Sequence, residues 1–484
     1  MEKLNRCSGI LLHVTSLPNN LGLGVLSHEC EKFIDFMELG SFKCWQVLPI
    51  SDCGYAMSPY SAVSTFAINP YLIDIREFLT EDEVNSFGFN RYNANAKEEE
   101  AKFDRALDLI YEKKHKSFDR SRFEKDNRYW LEDYSLFKVL KSEFQTCWNE
   151  WPEVYRDRNK EEMDKYKLAH KKELDKIKFI QFIADSQWNR VKSYAKKKGI
   201  EVFGDTPMYV ELDSADVWSN PKNWQLENGK PKCVAGVPPD YFNAEGQCWG
   251  NPLYNYALMS KNKYDFWLKR FRRLSALFDI VRIDHFLAFS RYWSIPSTAE
   301  SAKEGKWVKG VGPGLLKAIT AKTHVKLVAE DLGIITDDVT KLRESFGIPG
   351  IKVMQFAFDK EGDHEYQPHN YEKNSVAYIG THDNNTFMGL LNEGNWDKIN
   401  RFKRYLQMPL ERSNEEVVDN AILALYRSSA SMVMLTPQDI LKLDSSARMN
   451  TPGIDKGQWI WQLNRSLDGD LAHRYRNLSE LYGR

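Results

Sequence analysis

Short runs of β-branched and other apolar residues recur along the chain, each ending in polar or charged side chains. Eight such runs read as strands, over 9–14, 44–49, 200–204, 280–284, 325–329, 351–356, 376–380 and 431–435. Between several of them the apolar positions change to helical spacing. The segment 31–39 carries Phe33, Ile34, Phe36 and Met37 on one stripe, and 182–198 runs straight into the third strand. Strands alternating with helices predict a parallel sheet, and eight such units predict closure into a (β/α)8 TIM barrel. The intervals are uneven. About 150 residues separate strands two and three, far more than one crossover helix needs, so an insertion is expected there. Its centre has apolar residues at helical spacing (Phe103, Leu107, Ile110, Tyr111; Tyr134, Phe137, Leu140) among Lys and Glu runs that read as solvated helix faces.

The expected organisation is one catalytic barrel over 1–484 with a mainly helical insertion at 76–200 and an active-site loop insertion at 211–257. In the loop insertion, Gly, Pro and Asn punctuate aromatic residues from Val237 to Tyr254, which reads as a functional loop without regular structure.

Composition narrows the class. Net charge is −1, from 67 basic and 68 acidic side chains, so no basic surplus points to nucleic acid. No apolar run reaches the roughly 18 residues a membrane helix needs, and the N-terminus lacks a signal-peptide pattern. Seven scattered cysteines without CxxC spacing read as reduced thiols, with neither disulfides nor a zinc site, which fits a cytoplasmic protein. The sequence has no HExxH, Walker, GxGxxG or GxSxG pattern.

In a barrel of this kind the reactive residues sit at the C-terminal strand ends. Strand three runs into Gly204-Asp205-Thr-Pro, strand four into Val281-Arg282-Ile-Asp284-His285, strand five into Ala329-Glu330-Asp331, and strand seven into Thr381-His382-Asp383. Arg282 and Asp284 are two apart and share a strand face, which sets a guanidinium beside a carboxylate. Any one of these acids, taken alone, reads as a cap or ion-pair partner. Three on one rim suit glycoside cleavage, where one carboxyl protonates the leaving oxygen and another attacks or activates water.

These motifs, with Arg6-Cys-Ser-Gly, Trp45-Gln-Val-Leu-Pro49, Ser58-Pro-Tyr60, Asn69-Pro-Tyr71, Asp213-Ser-Ala-Asp-Val-Trp218, the Val237 to Tyr254 segment and Arg448-Met-Asn450-Thr-Pro-Gly453, cover nearly the whole chain. The sequence resembles the 4-α-glucanotransferases of the amylomaltase or disproportionating-enzyme type, glycoside hydrolase family 77, relatives of the α-amylases. The resemblance implies Asp284 as nucleophile, Glu330 as acid/base and Asp383 as transition-state stabiliser. It implies substrate-binding positions at Ser58, Tyr60, Asp205, Asp240, Tyr241, Phe242, Gln247, Trp249, Arg282, His285, His382 and Asn450. One departure is Ala56-Met57, where many relatives carry Gly-Asp.

The implied reaction is retaining transfer of an α-1,4-glucan segment (from maltotriose, longer maltodextrins or amylose) to another glucan or glucose, with no metal or other cofactor. Glu330 must then start protonated near neutral pH, and the anions Asp284 and Asp383 are the expected cause. The aromatic loop is expected to fold over the mouth and shield the intermediate from water. The alternatives are an α-amylase-like hydrolase and a non-catalytic glycan-binding barrel.

Overall fold

The computed structural model describes residues 3–90, 96–239, 244–333, 335–454, 457–464 and 467–484. Eight parallel strands surround the core, in chain order β1 Cys7–Leu11, β2 Cys44–Gln46, β3 Glu201–Thr206, β4 Ile280–Ile283, β5 Lys326–Ala329, β6 Gly350–Val353, β7 Ser375–Tyr378 and β8 Met432–Leu435. Their spatial order is 5-4-3-2-1-8-7-6, so each strand lies beside its chain neighbour and β1 joins β8. All eight expected strands are present, displaced by up to two residues at their starts and three at their ends, and the sheet is a nearly closed (β/α)8 barrel.

Side-chain parity explains the two cores. Cys7, Cys44, Phe203, Ile280, Val328, Ile351, Val353, Val376, Tyr378, Met432 and Met434 fill the barrel interior. Their sequence neighbours Trp45, Val202, Val281, Leu327, Ala377 and Val433 face the surrounding helices. Because successive strand residues point to opposite faces, counting onward from Ile280 and Val328 turns Arg282, Asp284 and Glu330 inward, and counting from Phe203 does the same for Asp205.

Between β2 and β3 lie the helices Glu81–Ser86, Ala96–Lys114, Ser121–Phe144, Glu153–Arg156, Lys160–Ala169 and Lys171–Lys197. The stripe read from the sequence is their packed face: Phe103, Ile110, Phe137 and Leu140 are each at most 1% exposed. These helices brace the loop that follows β2. Gln181 exchanges two hydrogen bonds with the backbone of Ile68 (2.9 and 2.8 Å), and Gln187 does the same with Asp74 (2.9 and 3.1 Å). The buried Asp52 carboxylate accepts from Tyr134 (2.7 Å) and pairs with Lys138 (3.0 Å). Each contact satisfies a polar group that would be costly to leave bare away from water.

The segment 211–257, read from the sequence as irregular, contains real strands. Cys233–Val237 and Gln247–Pro252 pair antiparallel, and Cys233–Val237 also pairs with Arg291–Pro296, which in turn pairs with Lys306–Lys309. This four-stranded sheet draws on the β3–β4 and β4–β5 connections. The pairing of Cys233–Val237 with Arg291–Pro296, more than 50 residues away, leaves no local signature in the sequence. Among the described residues no helix is long and apolar enough to cross a membrane.

Candidate active site

Strand register builds the site. Asp205 on β3 lies directly across from Arg282 on β4, and Arg282 lies across from Val328 on β5. One step further along, the ladder continues past the strand ends: Asp284 N–H donates to Thr206 O (3.0 Å) and Glu330 N–H to Ile283 O (3.0 Å). Asp284 and Glu330 thus share the next inward row.

Arg282 joins two carboxylates. Its Nη1 is 2.7 Å from Asp205 Oδ2 and its Nη2 is 2.7 Å from Asp284 Oδ1. The Asp205 side chain has no exposed surface, whereas that of Asp284 is 31% exposed toward the mouth. Burial disfavours the guanidinium charge, but the two carboxylates outweigh it and hold Arg282 firmly protonated. Burial pushes the Asp205 carboxyl up against the pull of Arg282. The buried carboxylate also accepts from Tyr60 Oη (2.8 Å), which in turn meets His382 Nε2 (2.9 Å). The Tyr60 and His382 rings stack, with centroids 5.5 Å apart. Ser58 Oγ accepts from Tyr60 N–H (3.3 Å) and so holds the turn that presents the tyrosine.

Glu330 is held from two sides. Its Oε2 accepts from the backbone N–H of His285 (2.7 Å) and its Oε1 from that of Leu332 (3.2 Å). His285 has φ of +50°, a left-handed conformation that a residue other than glycine adopts only under constraint. That turn aims its N–H at Glu330. Burial, then the Asp284 charge, pushes the Glu330 carboxyl up to about 8, against Arg282 and the His285 bond. The sequence reading assigned this push to Asp284 and Asp383. Desolvation leads instead, with the Asp284 charge second and Asp383 not among the leading causes. Burial lowers His285 to about 4, so its ring is neutral near pH 7.

Asp383 stands on the opposite wall, with 42% of its side chain exposed. Asn450 Nδ2 donates to its Oδ1 (2.6 Å), His382 Nε2 is 3.3 Å from its Oδ2, and Arg448 Nη2 donates to its backbone oxygen (2.8 Å). Arg448 also donates to Asn450 O (2.7 Å), tying the two supports together.

On the four-stranded sheet, Trp249 meets the His285 ring edge-on at 4.9 Å and donates from Nε1 to Gln247 Oε1 (3.0 Å). The site therefore gathers Ser58, Tyr60, Asp205, Trp249, Arg282, Asp284, His285, Glu330, His382, Asp383 and Asn450, with Gln247 linked to it through Trp249. Asp240, Tyr241 and Phe242, expected to bind substrate, lie outside the described residues. Three participants went unassigned from sequence. Arg448 braces Asp383, Trp459 lies 5.9 Å from both the Tyr60 and His382 rings, and Tyr209 packs 6.2 Å from Trp249. Arg448 stood inside a motif that had been noted, but its contact depends on a fold-back across 65 residues.

The chain resembles known enzymes over nearly its full length. The family model described as 4-alpha-glucanotransferase matches residues 12–468. A 4-alpha-glucanotransferase of Clostridium butyricum is 37% identical over 98% of this chain and all of its own. One of Thermus thermophilus is 39% identical over 97% of this chain and 96% of its own. An amylomaltase from Streptococcus agalactiae, solved in complex with acarbose, superposes with a TM-score of 0.93 at 30% identity and covers 99% of both chains. With the barrel, its inward acids and these relatives in agreement, the chain belongs to the 4-α-glucanotransferase family.

Proposed function

We propose that the transfer runs as a double displacement in which Asp284 is the nucleophile, Glu330 the acid/base and Asp383 the transition-state stabiliser. Asp284 attacks the anomeric carbon of a bound α-1,4-glucan, and the bond from that carbon to the 4-oxygen of the leaving glucan breaks. Glu330 gives its proton to that oxygen. The 4-hydroxyl of an acceptor glucan or glucose then enters, yields its proton to Glu330 and displaces Asp284, so two inversions restore the α configuration.

The observation that carries the reading is the unequal treatment of two neighbouring carboxyls. Asp284 is ion-paired to Arg282 at 2.7 Å, while Glu330 is raised to about 8 and, among the described residues, receives backbone N–H donors. One acid is suited to attack and the other to deliver a proton. Asp383, steadied by Asn450 and His382, is suited to stabilise positive charge at the anomeric centre. Tyr60, His382 and Trp249 offer hydroxyl, imidazole and ring-face contacts for sugar, and Asp205 with Arg282 holds that wall in place.

Maltotriose is the deciding substrate. Transfer yields glucose with a ladder of longer maltodextrins, all α-linked by NMR of fresh product. Shortening without any ladder would mean that water is the acceptor, and β-configured fresh product would rule out the double displacement.

The pH profile follows from Glu330. Its acid form is needed for the first displacement, so kcat/KM for maltotriose falls as pH rises through about 8. Initial rates between pH 6 and 10 check this, and a flat profile through that range would assign the proton to another group.

A further inference from the structure

We infer that Asp331 is a positioning residue for the reaction: its carboxylate fastens the one unladdered seam of the barrel directly behind Glu330. The inference rests on Glu330 being the acid/base.

Seven of the eight neighbouring strand pairs are backbone ladders. Among the described residues the pair β5–β6 has none. A backbone bond from Ala329 N–H to Pro349 O (2.9 Å) and one side-chain bond hold it instead. That side-chain bond is Ile351 N–H to Asp331 Oδ1, at 2.8 Å. Parity explains the substitution. Glu330 points inward, so Asp331 points outward into the gap, where its carboxylate takes the place a strand carbonyl would occupy.

The gap is shaped for it. A Cβ on Gly350 would lie 2.3 Å from Asp331 Oδ2, so the absence of a side chain at 350 makes the room. Arg343, on the helix Asp337–Ser345, approaches the same oxygen from outside, with Nε at 3.0 Å. Arg343 is itself tied to Ile348 O (3.0 Å) and Glu372 (2.8 Å). Behind the acid/base, then, a buried carboxylate is held by one strand and one helix. In front of it, His285 N–H and Leu332 N–H fix the two carboxyl oxygens. A displacement of the segment 330–332 would move Glu330 relative to Asp284, and errors of about 1 Å in such geometry cost on the order of 100-fold in rate.

The arrangement also has an electrostatic consequence. The charged groups facing Glu330 are Asp284 and Arg282 from β4 and its end, and Asp331 from behind; Tyr366 is the further titratable group nearby. Those facing Asp331 are Arg343, Lys352 of β6, Glu372 and the Tyr366 hydroxyl. The Asp331 charge adds to the forces that keep Glu330 protonated.

Asp331→Asn tests this in the full-length enzyme. Asn retains an oxygen for Ile351 N–H but loses the charge and the pair with Arg343. We expect kcat to fall about tenfold or more with KM for maltotriose changed less than about twofold. The basic limb of kcat/KM should move to lower pH by on the order of half a unit, because an anion beside Glu330 is gone. A lower melting temperature with kcat and the limb unmoved would make Asp331 a fastener of the barrel only and overturn the inference. Gly350→Ala serves if the first variant does not fold. It keeps the charge but crowds the carboxylate, and full kcat in that variant also overturns the inference. Glu330→Gln separates the two readings. Activity surviving in that variant removes Glu330 as acid/base. Its loss, alongside an unaltered Asp331→Asn enzyme, removes Asp331 alone.

Discussion

Asp284→Asn is expected to fold and to lose transfer from maltotriose by at least about 10³-fold, since covalent catalysis does not survive removal of its nucleophile. The substitution keeps side-chain volume and removes only charge. Stability should change little, because Arg282 retains Asp205 at 2.7 Å and is not left without a partner. The Asp284 side chain is 31% exposed toward the mouth, where water can solvate the new amide. Initial rates and a melting curve on the same preparation check both halves of the prediction. Residual transfer above about a tenth of the parent would put the nucleophile elsewhere.

Arg282→Met is expected to do the opposite to stability. Asp205, with a fully buried side chain, would keep only the Tyr60 hydroxyl as a donor, and Asp284 would lose its pair. Breaking a buried ion pair from one side costs about 3–5 kcal/mol, because the surviving charge stays desolvated. A chain of this length has an unfolding entropy of about 1 kcal/mol/K, so that cost lowers Tm by only ~3–5 °C. Denaturant titration reads it more directly. Activity should fall by about 10²-fold or more, because Asp284 takes its position from this guanidinium directly and Tyr60 through Asp205. A variant with parental stability would mean that Asp205 finds another partner and that the bridge is dispensable.

The two variants separate functions that share one ion-pair cluster. Asp284 sits on the exposed side of Arg282 and is free to react, while Asp205 sits on the buried side and is committed to structure. Their exposures distinguish them, as does the Tyr60 hydroxyl bond that Asp205 accepts. In sequence both are aspartates at strand ends.

Local pattern was enough for the barrel and for the acids on its rim. A period of two turns every second side chain inward, so Ile280, Arg282 and Asp284 had to share a face once strand four was recognised, and Val328 with Glu330 likewise. The same periodicity logic, at helical spacing, exposed the packed faces of the helices between β2 and β3. Motif resemblance supplied the roles, and the family it implied is the one the chain belongs to. What local pattern does not contain is register between strands far apart in the chain. Register set Asp205 beside Arg282 across 77 positions and paired Cys233–Val237 with Arg291–Pro296, and a fold-back of the loop after β8 brought Asn450 to Asp383 across 67. Burial, too, is a property of the assembled fold. Desolvation raises Glu330 and lowers His285, and no spacing in the sequence reports how much water a finished site admits. The seam between β5 and β6 belongs to this second group. Asp331 follows Glu330 in the chain and points outward by the same parity, but closure of the barrel is what brings Ile351 and Arg343 to it and puts it to use in place of a ladder bond.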